Sequence, residues 1–148
     1  MYGPHLTLDM YGCDRDKLAD INFIYEFLSN LPSKIGMRKI LPPYVFKYDG
    51  GEKPEDWGIS GIVLIAESHI SIHTYPEKNY ASFDIFSCKE FEVEKTAKMV
   101  VKLFEAKSYE KNYTTRGKHF PKQLDKNNQI MALERIVREP KQIQKIKD

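Results

Sequence analysis

At 148 residues and 17.3 kDa, with 41% hydrophobic and 30% charged residues, the chain has the makeup of a soluble globular domain with a full-sized core. Its longest clean apolar run, residues 62–66, is far too short to span a bilayer, and residues 1–9 lack the basic start and apolar stretch of a signal peptide, so no membrane is expected and the cytoplasm is. The net charge of +2 hides a split, +6 over residues 107–148 and −4 over the rest, but no aromatic stacking pattern or known module accompanies the basic end and nucleic acid is not expected as a partner.

In chain order, residues 5–11 alternate and predict a first strand with Leu6 and Leu8 on one face. Asp14 offers a carboxylate to cap a helix over residues 15–31, where Leu18, Ile21, Ile24, Tyr25, Leu28 and Leu31 recur every three or four positions. Pro32 and Gly36 bracket its end. Residues 38–48 read as an edge strand because Pro42 and Pro43 cannot donate ladder hydrogen bonds. A polar loop follows over 49–56, and Trp57 leads into the centre of the chain.

That centre, residues 60–88, reads SGIVLIAESHISIHTYPEKNYASFDIFSC. Apolar β-branched runs at 62–65 and 70–72 flank the polar triplet Glu67, Ser68 and His69. Pro76 to Asn79 supply turn chemistry before a third alternating run, so three consecutive strands are predicted, the last two as a hairpin. A four-residue loop pairs Tyr75 with Tyr80, His73 with Ser82 and Glu67 with Cys88. Alternation then puts His69, Ser71 and His73 on one face and Ile70, Ile72 and Thr74 on the other. A serine, an imidazole and a thiol are thus expected to converge on one end of a small sheet.

Beyond Cys88, the positions Val93, Ala97, Val100, Val101 and Phe104 predict a second amphipathic helix, with Glu92 and Glu94 suiting its N-terminal dipole and Lys102 and Lys107 its C-terminal end. Residues 108–115 read as a last strand. The domain is expected to span residues 1–120, with a polar basic tail over 121–148 in which Ile130, Leu133, Ile136 and Val137 could form a short helix. The fold class is α+β, summed as βαβββαβ, with two helices on one face of an antiparallel sheet. Cys13 and Cys88 are expected as free thiols, and four scattered histidines with two cysteines lack the spacing of a metal site.

Taken singly, a serine in a strand break, two sheet histidines and a strand-end cysteine have ordinary structural explanations. The string AESHISIHTYPE followed by YASFDIFSC is another matter, because it resembles the short prokaryotic S-adenosylmethionine decarboxylases, proenzymes that cut themselves at a Glu-Ser bond. The resemblance extends over about residues 5–117. It implies cleavage between Glu67 and Ser68, with Ser68 becoming a pyruvoyl group that forms a Schiff base with the substrate. It also implies a homodimer packed sheet to sheet into a four-layer αββα sandwich, with active sites at or near the interface. The substrate would be S-adenosylmethionine, decarboxylated to the aminopropyl donor for spermidine synthesis.

Site residues follow from both sources. His73 is the group best placed to move protons during processing, since imidazole titrates near neutrality. By resemblance, Ser60 matches the processing serine and Cys88 the acid that returns a proton in catalysis; an ordinary thiol keeps its proton at neutral pH, which suits a donor. Tyr75 matches an aromatic that stacks on the adenine, and Glu77 a carboxylate that holds the nucleoside. The family's further aromatic, six residues before the processing serine, is Pro54 here, and Trp57 is the candidate substitute. That departure leaves open a pyruvoyl-dependent decarboxylase of arginine or ornithine, and, from another class, a non-catalytic nucleoside-binding or regulatory dimer. His5, Cys13 and His119 are read as structural or surface residues.

Overall fold

A computed structural model describes residues 2–121 and gives a six-stranded antiparallel sheet with helices on one face. The elements are β1 (Gly3–Tyr11), α1 (Arg15–Ala19), α2 (Ile21–Lys34), β2 (Tyr44–Tyr48), β3 (Gly58–Ile65), β4 (Ser68–Tyr75), β5 (Tyr80–Ser87), α3 (Val93–Leu103) and β6 (Ser108–Arg116). The strand order is β2-β3-β4-β5-β1-β6. Met1–Lys118 form one compact unit. The helix expected around Ile130 to Val137 lies outside the described residues. No helix among those described is long and apolar enough to cross a membrane.

Period-two alternation decides which face is dry. Leu6, Leu8 and Met10 of β1, Ile70, Ile72 and Thr74 of β4, and Ala81, Phe83 and Ile85 of β5 are all buried against the helices. α2 covers them with Ile24, Phe27, Leu28 and Leu31, and α3 with Ala97 and Val100. Each such aliphatic or aromatic side chain removed from water contributes about 1.5–3 kcal/mol, so this layer carries the fold. α2 approaches β3 closely because position 61 has no side chain: a Cβ on Gly61 would stand 2.6 Å from Leu28 Cδ1.

Three expectations change in detail. The helix expected over 15–31 is broken at Asp20, whose Oδ1 accepts from the amides of Asn22 (2.9 Å) and Phe23 (3.2 Å) and so caps a second helix. The edge strand expected over 38–48 is regular only at Tyr44–Tyr48; ahead of Pro42 and Pro43 the chain keeps single contacts to the end of β3, such as Ile40 N to Leu64 O at 3.0 Å. Counting that strand, four and not three lie between the helical segments, so the pattern gains one strand over βαβββαβ.

Candidate active site

The face of the sheet away from the helices holds the polar residues of the central strands. The register of β4 and β5 is the predicted one, with Tyr75 opposite Tyr80, His73 opposite Ser82 and Ser68 opposite Ser87. One step further, Cys88 N donates to the Glu67 carbonyl at 2.8 Å, so the strand-end cysteine lies beside the Glu67-Ser68 bond as expected. Its thiol is free and exposed.

Local sequence explains why this junction is unusual. β3 and β4 are joined by only Ala66 and Glu67, with Ile65 paired to Ser68. Tight hairpins normally place Gly, Asn or Asp where φ must be positive, and none is present. The positive φ falls instead on Ser68, at 153°, where residues with a Cβ are rarely found and strain of about 1–3 kcal/mol is stored. The turn cannot relax easily, because Ala66 N donates to Arg38 O at 2.8 Å and Arg38 N to Glu67 Oε2 at 3.3 Å.

The imidazole expected to complete this group is elsewhere. His73 stands opposite Ser60 in the β3–β4 register, with its Nδ1 2.8 Å from Ser60 Oγ. It is five residue steps along the strand from Ser68, about 16 Å at 3.3 Å per step. Convergence of Ser68, Cys88 and His73 at one end of a single sheet is therefore corrected: Ser68 and Cys88 form one group, Ser60 and His73 another. The imidazole next to Ser68 is His69, which donates to Asp84 Oδ1 at 3.1 Å, while His5 donates to Asp84 Oδ2. His5, read from sequence as structural, thus belongs to a His-Asp-His trio that spans β1, β5 and β4. Among the described residues no group of three or more His, Cys, Asp or Glu is arranged to hold a metal ion.

Beyond His73, the β4–β5 turn forms a corner with the 49–57 loop and α1. Glu77 Oε1 accepts from Trp57 Nε1 at 3.1 Å and from the Arg15 guanidinium, and these two contacts, Arg15 first, hold its carboxyl below the ordinary 4.5. Trp57 has the Lys47 ammonium 4.5 Å above its ring, and Lys78 pairs with Asp56. Tyr75 lies with Tyr48, Gly50, Glu52, Lys53 and Asp56 around a cleft of about 390 Å³. Glu77 and Trp57 are thus brought together with Arg15, while Tyr75 lines the neighbouring cleft with Tyr48; the sequence singled out neither Arg15 nor Tyr48. A groove of about 580 Å³ lies between α2 and α3 on the helix-covered side of the sheet and is lined by none of Ser60, Ser68, His73 and Cys88.

Comparison with known proteins gives a consistent result. Residues 4–117 match the family model described as S-adenosylmethionine decarboxylase. A relative from Pyrococcus furiosus, named S-adenosylmethionine decarboxylase proenzyme, is 38% identical over 106 residues, 71% of each chain. One from Geobacillus kaustophilus with the same name is 33% identical over 115 residues, 78% of this chain and 87% of the relative. The crystal structure of the adenosylmethionine decarboxylase from Aquifex aeolicus superposes with a TM-score of 0.69 at 27% identity, covering 84% of this chain and 98% of that one.

Proposed function

Because the chain belongs to the S-adenosylmethionine decarboxylase family, we propose that it is made as a proenzyme, cuts itself between Glu67 and Ser68, and then decarboxylates S-adenosylmethionine. The observation that carries this reading is the strained Ser68 next to a carbonyl that accepts the Cys88 amide. That donor draws electrons from the Glu67 carbonyl carbon, which makes it a better target for Ser68 Oγ. As Oγ closes on the carbon, the peptide C–N bond breaks and Glu67 becomes an ester on Ser68. Loss of the Ser68 α-proton then breaks Cβ–Oγ, Glu67 leaves as a carboxylate, and water displaces the remaining nitrogen as ammonia. The products are chains of 67 and 81 residues.

The residues around position 68 fit a pyruvoyl group. Its main chain is held between β3 and β5 through Ile65 and Ser87, and an exposed thiol flanks it. Such a group supplies a carbonyl that accepts the substrate amine and draws in the electron pair left by departing carbon dioxide. Cys88 holds the proton that the α-carbon takes back. Tyr75 and Glu77 hold the adenine and its ribose, with Trp57 acting through Glu77.

The separation of about 16 Å between Ser68 and His73 supports a homodimer, since one chain cannot supply both groups to the same reaction. In this reading the Ser68 and Cys88 end of one copy meets the Ser60, His73 and Glu77 end of another. The uncovered face also carries Tyr44, Phe46, Ile62 and Leu64, which are 40–69% exposed and form an apolar flank for sheet-to-sheet packing. The catalytic domain is placed at residues 1–120 with a tail over 121–148, which the compact unit ending at Lys118 and the family match ending at 117 support.

Denaturing mass spectrometry tests the self-cleavage. The purified protein is expected as two chains divided after Glu67, the second blocked by a keto group, and Ser68→Ala as one chain at full mass. A single uncut species in the parent protein overturns the proposal.

A further inference from the structure

Building on the reading of Glu77 as the carboxylate that holds the substrate's ribose, we infer that Arg15 is a positioning residue for substrate binding, acting with Trp57 to fix the Glu77 carboxylate in its ionised, receiving orientation. Both donors converge on Oε1, Arg15 from the first turn of α1 and Trp57 from the residue just ahead of β3. Oε2 carries no hydrogen bond among the described residues and is left to accept from a substrate hydroxyl. One oxygen anchors the group and the other faces the ligand.

The frame that presents Arg15 is rigid without the ion pair. Asp14 Oδ1 caps α1 by accepting from Lys17 N at 2.9 Å, and Asp14 N donates to Phe104 O at 3.0 Å. The residue before it is stitched to the β4–β5 turn twice: Cys13 N donates to Asn79 O at 2.9 Å, and Asn79 Nδ2 donates to Cys13 O at 3.0 Å. Thr74 Oγ1 adds a third tie by donating to Leu18 O at 2.8 Å. Asn79 suits this post because it takes the left-handed conformation, φ 49°, that ends the turn.

With α1 already tied to the turn, the ion pair is redundant for the fold. Arg15 and Glu77 side chains are 49% and 39% exposed, and pairs in such surroundings contribute little to stability. A bidentate-capable guanidinium aimed at a carboxylate is better explained as orientation. The charge matters as well as the geometry, because Arg15 is the first cause holding the Glu77 carboxyl below 4.5. Without it, Glu77 takes up its proton at a higher pH and loses the charge that strengthens a hydroxyl hydrogen bond.

Steady-state kinetics on the self-cleaved enzyme test this. Arg15→Ala is expected to raise KM for S-adenosylmethionine about tenfold with kcat within about twofold, and Arg15→Lys to recover most of the loss. The acid limb of kcat/KM should move to higher pH in Arg15→Ala and by less in Trp57→Phe, a shift that a merely structural role would not produce. Arg15→Gln serves if Arg15→Ala does not cleave itself. If Glu77→Gln raises KM while the Arg15 variants keep the parent KM and acid limb, the inference fails and the reading of Glu77 stands. Should Glu77→Gln leave KM unchanged, the reading of Glu77 falls and this inference with it.

Discussion

Cys13 and Cys88 differ in everything but element. Cys13 is 2% exposed and burial pushes its thiol up to about 11, so it has almost no thiolate at pH 8. Cys88 is exposed beside the Glu67 carbonyl. Iodoacetamide added to the cleaved enzyme at pH 8 is therefore expected to label Cys88 alone and to abolish decarboxylation, checked by peptide mapping and product assay; label on Cys13 with activity intact would remove Cys88 from its role. Cys88 was legible from the sequence because a hairpin with a Pro-Asn turn leaves little freedom in register. Asp84 was not, because a carboxylate between Phe83 and Ile85 reads only as the polar half of an alternating strand. Nothing local shows that His5 and His69, from two other strands, both reach it. Arg15 escaped notice for the same reason: at the start of a helix it looks like surface, and its partner is sixty-two residues away.

Among the elements, the first helical segment shows what periodicity can and cannot see. Leu18, Ile24, Leu28 and Leu31 recur as one stripe and all are buried, yet Ile21 is 41% exposed and Phe27, outside the expected stripe, is 7% exposed. The break at Asp20 turns the axis and changes which residues face the sheet. The missed signal was an N-cap residue inside the apolar run. Replacing Asp20 with alanine leaves the amides of Asn22 and Phe23 without their side-chain acceptor, and is expected to destabilise the fold by about 1 kcal/mol. Urea unfolding of Asp20→Ala in the uncut Ser68→Ala background measures it, and an unchanged midpoint would show that the cap is dispensable. The strands were easier to read, because Val, Ile and Tyr at period two against a polar face allow few alternatives.

At the scale of the whole molecule, a motif compact in sequence proves extended in space. Six letters from Ser68 to His73 lie along one strand and span about 16 Å, a separation that the spacing itself contains once a strand is assumed. The proposed division of the site between two copies would make a specific demand on mixtures. When Ser68→Ala and His73→Ala chains are produced together, a mixed dimer holds one site with an intact serine from one copy and an intact histidine from the other. Cleavage should then appear, and only in the His73→Ala chain, as mass spectrometry of the fragments can tell; its absence from a confirmed mixed dimer would place both groups within one chain.

The sheet order has one more consequence. Scission after Glu67 leaves β1, β2 and β3 on the first product and β4, β5 and β6 on the second, but the order β2-β3-β4-β5-β1-β6 does not divide the sheet in two. β1 is inserted between β5 and β6, so three of the five strand pairings cross from one product to the other. The nicked polypeptides are plaited together, and neither can be withdrawn without tearing the sheet apart.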